Sequence, residues 1–136
     1  MADERRTLFR HGALILLISA LIGLVVASPA PYPAKWMAAH VSGLLTGILI
    51  IAFGGLWPEV RLAASTRTLA MRLGLVAAWL GVLLNVYAAV VNLPGPATAP
   101  GVQPAVAWQA FVFNAGLVVV VPSTIGSFFL VWRGLR

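Results

Sequence analysis

The chain contains four long apolar stretches, and each is close to the length that a helix needs to cross a lipid bilayer. They cover residues 8–27, 36–57, 73–93 and 106–132 of the 136 residues. A bilayer-spanning helix requires about 20 predominantly apolar residues. With 61% hydrophobic and only 9% charged residues, the chain cannot cover a soluble core with polar surface. The sequence therefore predicts an all-α fold, a four-helix transmembrane bundle that forms a single domain over residues 1–136.

The positions of lysine and arginine predict the orientation of this bundle. Eight of the nine basic residues precede the first stretch or lie at its start, lie between the second and third, or follow the fourth, and only Lys35 does not. Because basic residues mark cytoplasmic segments, both termini are expected in the cytoplasm, with the protein in the bacterial inner membrane. The net charge of +6 is thus a topology signal, and no nucleic-acid partner is expected. A cleaved signal peptide is the rival interpretation of the first stretch.

The strongly polar side chains of the second, third and fourth apolar stretches are expected in one layer, the outer half of the membrane. They are His40, Asn85, Tyr87, Asn92, Gln109 and Asn114. Such side chains are costly at membrane depth, so each is a candidate functional residue. The inner half offers hydroxyl side chains, which are expected to bond the backbone of their own helix.

Helical periodicity predicts which of these residues share a face. His40, Gly43 and Gly47 form the pattern H-x-x-G-x-x-x-G along one side of the second stretch. The glycines allow either a neighbouring helix or a flat ligand to approach closely. Asn85 and Tyr87 point about 200° apart on a helix, so they are expected to serve different surfaces.

A lone histidine in the outer half restricts the possible metal chemistry. Zinc needs three or four protein ligands, but the chain has no cysteine and its three acids all lie on the predicted cytoplasmic side. Haem needs only one protein ligand, because the porphyrin supplies four. His11 and His40 lie near opposite faces, which excludes a bis-histidine haem within one chain. The alternative is that His40 is structural and bonds an asparagine or a carbonyl across a helix interface.

Four short motifs occur in order along most of the chain. They are F-R-H-G at 9–12, A-H-V-S-G-L-L-T-G at 39–47, G-L-W-P at 55–58 and the closing L-V-W-R-G-L. Together they resemble the hydroxylaminobenzene mutase family, small integral membrane proteins related to styrene oxide isomerase. The resemblance implies an isomerase or mutase that converts an arylhydroxylamine to an aminophenol, or an aryl epoxide to an aldehyde. It also implies haem b at the interfaces of a homotrimer.

The resemblance implies a role for particular residues. His40 corresponds to the axial ligand of the haem iron, and the space beside Gly43 and Gly47 is a candidate position for the cofactor. Thr46 stands where the family pattern has asparagine, six residues after the histidine.

On the third helix, Tyr87 and Asn85 are the candidates for the family's catalytic tyrosine and asparagine, whereas its aspartate has no counterpart there. Trp79, Phe111 and Phe113 are candidate walls for the ring of a small hydrophobic aromatic substrate. The competing function is a non-enzymatic membrane protein that binds haem or serves in assembly, with His40 structural.

Overall fold

The computed structural model describes residues 2–29, 32–93 and 106–136, and these residues are helical apart from short connections. The helices are α1 (Ala2–Val26), α2 (Pro33–Leu56), α3 (Ala64–Val90) and α4 (Ala107–Gly134), with one 3-10 turn at Trp57–Glu59. Each of the four long helices is long and apolar enough to cross a membrane. The predicted four-span helical protein is therefore confirmed, while most of the third connection lies outside the described residues.

Helices α1 and α2 pack closely along each other through small residues. Gly43 stands directly against the Oγ atom of Ser19. A Cβ atom at Gly47 would lie 2.7 Å from Cγ of Leu16 and 3.0 Å from the carbonyl oxygen of Gly12. Larger side chains at either glycine would separate the two helices, so the glycines set this close approach.

Helices α3 and α4 form the second closely packed pair. A Cβ atom at Gly74 would lie 2.9 Å from Oγ of Ser127, and that hydroxyl donates to the carbonyl of Ala70 at 2.9 Å. Ser127 thus bonds the backbone of the facing helix α3 rather than that of its own helix. Helix α2 contacts α3, and the rings of Phe53 and Phe128 meet edge to face at 5.0 Å between α2 and α4. These contacts join the two pairs into one bundle.

Helix α3 extends beyond the predicted stretch at its start and ends short of it. It begins at Ala64 rather than at residue 73, and Arg67 on its first turns is buried, with only 7% of its surface exposed. It ends at Val90, and Asn92 follows with a left-handed φ of 51°, a conformation that asparagine tolerates after a helix. The prediction that Asn92 lies within this helix in its outer half is therefore wrong.

One carboxylate ties α1, α3 and the 3-10 turn together. Glu4 Oε2 accepts from Arg67 Nε at 2.9 Å and from Trp57 Nε1 at 3.2 Å, and Glu4 Oε1 accepts from Thr68 Oγ1 at 3.0 Å. The Arg67 guanidinium also lies over the Trp57 ring, 5.8 Å from its centroid. The buried arginine thus has its counter-charge on a different helix.

Glu4→Gln is expected to destabilise the bundle by about 2 kcal/mol, because it leaves the buried Arg67 guanidinium without a counter-charge. The measurement is loss of helical circular dichroism during a denaturant titration in detergent micelles. Glu59→Gln is the matched control, since Glu59 is exposed and the same change there should leave the midpoint unaltered. Equal midpoints for the two variants would contradict the assignment of Glu4 as the partner of Arg67.

Candidate functional site

The His40 ring lies against α1 and is oriented by one hydrogen bond. Its Nδ1 atom is 2.7 Å from the carbonyl oxygen of Ser19. Because a carbonyl oxygen only accepts, Nδ1 is the donor, and the neutral ring keeps its lone pair on Nε2. Gly23 leaves room for the ring, since a Cβ atom there would lie 2.7 Å from His40 Cε1. Helix α1 therefore fixes both the tautomer and the orientation of this histidine.

The same contact leaves one nitrogen of His40 available. The side chain is partly exposed, and Nε2 has no hydrogen-bond partner among the described residues. Histidines that bind metal commonly donate from their other nitrogen to a carbonyl or carboxylate, which fixes the tautomer and the ring. His40 therefore makes the contact with a carbonyl that a purely structural histidine would make. Its free Nε2 also leaves it suited to serve as a single haem ligand.

Side chains of α1 occupy the space next to the two glycines that share a face with His40. Ser19 and Leu16 of α1 fill the space next to Gly43 and Gly47, where the sequence interpretation left room for either a helix or a flat cofactor. The structure accounts for these two glycines by helix packing. A flat group bound to Nε2 would therefore not occupy the space beside these two glycines.

A cavity of about 190 Å³ lies among α2, α3 and α4. We call it the α2–α3–α4 groove, and it includes both Thr46 and Asn85. Leu49 and Phe128 also line it and are 39% and 42% exposed, so the groove opens on the apolar outer surface of the bundle. The structure therefore brings together two of the three predicted catalytic residues in a space that a lipid-soluble molecule can enter.

Most of the groove wall is apolar, and its polar side chains are bonded to helix backbone. The four bonds are Thr46 Oγ1 to Ser42 O at 2.8 Å, Thr124 Oγ1 to Val120 O at 2.8 Å, Ser127 Oγ to Ala70 O at 2.9 Å, and Asn85 Nδ2 to Gly81 O at 2.9 Å. Thr124 and Ser127 are lining residues that the sequence interpretation did not select. The sequence feature that points to them is the helical spacing of small and hydroxyl residues on α4. This spacing does not show which helix those residues face.

Tyr87 lies on a different surface from the groove. Its hydroxyl donates to the carbonyl of Gln109 on α4 at 3.3 Å. This separation from Asn85 agrees with the angle of about 200° expected on one helix. Within the described part of a single chain, Tyr87 lies neither in the groove wall nor against His40.

The aromatic residues of the groove differ from those expected. Trp79 donates from Nε1 to Nδ1 of His11 at 3.0 Å, and Phe111 is 73% exposed. Neither these two nor Phe113 belongs to the groove wall, where the aromatic rings are those of Phe53 and Phe128. Trp79, Phe111 and Phe113, the candidate walls for an aromatic ring, therefore do not line the α2–α3–α4 groove.

Comparison with known proteins agrees with the motifs. The family described as styrene oxide isomerase matches residues 4–136. Hydroxylaminobenzene mutase HabB of Ectopseudomonas oleovorans is 30% identical over 86 residues, which are 61% of this chain and 52% of that protein. The chain thus spans about half the length of this curated relative. No solved structure matches the chain. Because the family match covers nearly every residue, the chain belongs to the styrene oxide isomerase family.

Proposed function

We propose that the protein is a membrane isomerase or mutase that rearranges a small aromatic substrate without net oxidation or reduction. The reaction is conversion of an arylhydroxylamine to an aminophenol, or of an aryl epoxide to an aldehyde. Family membership and the similarity to a hydroxylaminobenzene mutase support this class of reaction. The observation that carries the proposal is the α2–α3–α4 groove, which joins Thr46 and Asn85 within apolar walls.

The groove has the size and lining that such a substrate needs. An apolar cavity of about 150 Å³ is sufficient to bind benzene, and the groove measures about 190 Å³. Phe53 and Phe128 provide aromatic surface for the ring, while Thr46 and Asn85 offer polar atoms for the oxygen or nitrogen substituent. An aromatic substrate dissolved in the bilayer would enter directly, because the groove opens on the apolar surface.

The residues of the groove suit both rearrangements. Each reaction breaks a carbon–oxygen or nitrogen–oxygen bond and develops positive charge on the substrate. A hydride shift within the opened epoxide, or return of the oxygen to a ring carbon of the hydroxylamine, then completes the isomerisation. One hydrogen of Asn85 Nδ2 is bonded to Gly81, which leaves the second hydrogen to donate to the substrate oxygen. The lone pairs of Thr46 Oγ1 can accept a substrate N–H or O–H. The apolar walls exclude water from the reacting atoms.

His40 fits haem b as its single protein ligand, because Ser19 holds Nδ1 as a donor and Nε2 remains available. A bound haem would supply a Lewis-acidic iron with an open coordination position. His40 contacts α1, whereas the groove lies on the side of α2 that contacts α3 and α4. A shared active site would therefore require contact between copies of the chain, such as the expected homotrimer would provide.

A non-enzymatic haem-binding or assembly protein is the second candidate. The hydrogen bond between His40 and the Ser19 carbonyl favours it, since this contact alone gives the histidine a structural purpose. A protein of this class would convert neither substrate, and His40 would serve only its structural contact with Ser19.

The test is a turnover assay of the purified protein in lipid nanodiscs, supplied with haem and with no reductant. Phenylhydroxylamine and styrene oxide are offered separately, and the aminophenol and the aldehyde are quantified by chromatography. Empty nanodiscs with the same haem give the uncatalysed rate. Conversion of either substrate well above that rate is the expected result. If haem-loaded protein converts neither, the proposed enzymatic function is wrong.

A further inference from the structure

The hydroxyl groups of the groove have a fixed hydrogen-bonding direction. Thr46, Thr124 and Ser127 each donate their single O–H to a backbone carbonyl, at 2.8, 2.8 and 2.9 Å. A hydroxyl has one donor and two acceptor lone pairs. With the donor committed to the backbone, each of these oxygens offers only acceptor capacity to a molecule in the groove.

The accessible members of this set can be distinguished by burial. Ser127 is 1% exposed between α3 and α4, whereas Thr46 and Thr124 are only partly buried. Asn85 adds an acceptor through Oδ1 and one remaining donor through Nδ2, since its other hydrogen is bonded to Gly81. Among the described lining residues, side-chain acceptors available to a ligand therefore outnumber donors.

We propose that the α2–α3–α4 groove selects small aromatic molecules that carry an N–H or O–H donor, and that Thr46 and Thr124 set this selectivity. An arylhydroxylamine has two such donors. An aryl epoxide has none, and its oxygen only accepts. The resulting preference for a hydroxylamine over an epoxide as substrate rests on the proposed function, whereas the binding preference does not.

The physical reason lies in the cost of leaving buried polar groups unpaired. A ligand without donors leaves the lone pairs of the threonine oxygens without a partner, whereas a ligand O–H or N–H pairs with them. A site built to bond a ligand O–H or N–H therefore discriminates against analogues that lack it. Each neutral hydrogen bond corresponds to about a fivefold difference in affinity.

The binding test uses two unreactive probes, 4-fluorophenol and 4-fluoroanisole, which differ in that the methyl ether has no donor. Their dissociation constants are measured by fluorine NMR with the full chain in lipid nanodiscs, and empty nanodiscs correct for partitioning into lipid. The wild type should bind the phenol at least about fivefold more tightly than the ether. Equal affinities, tighter binding of the ether, or no binding of either probe would overturn the inference.

Variants assign the selectivity to the threonines. The double variant Thr46→Val and Thr124→Val keeps side-chain shape, and the phenol-to-ether affinity ratio should fall close to one. The conservative pair Thr46→Ser and Thr124→Ser should restore the ratio, because it restores the acceptors. Thr7→Val is the matched control, since Thr7 makes the same bond to a carbonyl four residues earlier but lies outside the groove. A ratio unchanged in the valine pair would contradict the role of these oxygens.

Turnover then separates this inference from the proposed function. In an active enzyme, the ratio of kcat/KM for phenylhydroxylamine to that for styrene oxide should fall in the valine pair. Selective probe binding without conversion of either substrate would reject the proposed function and keep the inference. Conversion whose substrate ratio is the same in the valine pair and the wild type would reject the inference and keep the proposed function.

Discussion

Replacing His40 with alanine is expected to lower kcat/KM by more than about 100-fold while the helices remain packed. Removing residues that only orient a metal ligand commonly costs 10–100-fold, and removing the ligand itself should cost more. The structural loss is small, because the variant forfeits one hydrogen bond to the Ser19 carbonyl, worth about 1 kcal/mol. Activity and the absorption spectrum, before and after dithionite, are measured on the same detergent-purified sample.

His11→Ala is the matched control for this experiment. His11 bonds Trp79 on α3, away from both His40 and the groove, so its loss should leave turnover and the haem spectrum unchanged. In the His40→Ala protein, added imidazole should restore the Soret band by occupying the vacated position. Retention of full activity by His40→Ala would show that the assigned role of His40 is wrong.

The absorption spectrum of the wild type tests whether the protein binds haem. A Soret band that shifts on reduction and is lost in His40→Ala would identify His40 as the ligand. A featureless spectrum after haem has been supplied would exclude haem binding by this protein. Any rearrangement activity that remained would then depend on the polar atoms of the groove alone, and His40 would keep only its contact with Ser19.

The four helices could be predicted because exposed backbone and charge are costly in lipid, so a membrane-spanning helix requires a long apolar stretch. The start of α3 could not be predicted in this way. Because arginine is charged, the sequence assigns Arg67 to the connection between the second and third stretches. In the structure, Arg67 is buried against Glu4, its partner 63 residues earlier. A pairing over that separation depends on how the helices pack, which no local pattern contains.

The same limit applies to the candidate site. Helical phase correctly grouped His40, Gly43 and Gly47 on one face, yet it could not tell whether a helix or a ligand covers that face. Helix α1 covers it. The resemblance selects Thr46, because it stands where the family pattern has asparagine. Phe53 also lines the groove two turns further along the helix, but it lies outside the motifs that carry the resemblance. Which faces meet is a property of the whole bundle.

Gly81→Leu is expected to block the groove without disturbing the fold. Gly81 lines the groove, and a Cβ atom there would meet no described atom within 4 Å. The leucine side chain can therefore occupy the cavity without displacing protein, and helix propensity favours leucine over glycine by up to about 1 kcal/mol. Turnover of both substrates should fall by about 100-fold or more, since even small displacements of a reacting group have effects of that order. Binding of 4-fluorophenol should be lost in parallel.

Gly55→Leu is the matched control, because an added Cβ at Gly55 also meets no described atom within 4 Å and the residue lies outside the groove wall. The decisive comparison is with His40→Ala. If haem and groove form one active site, Gly81→Leu should lose turnover and retain the Soret band, whereas His40→Ala should lose both. Full turnover in Gly81→Leu would mean that the substrate does not use the groove, and the proposed roles of Thr46 and Asn85 would then be wrong.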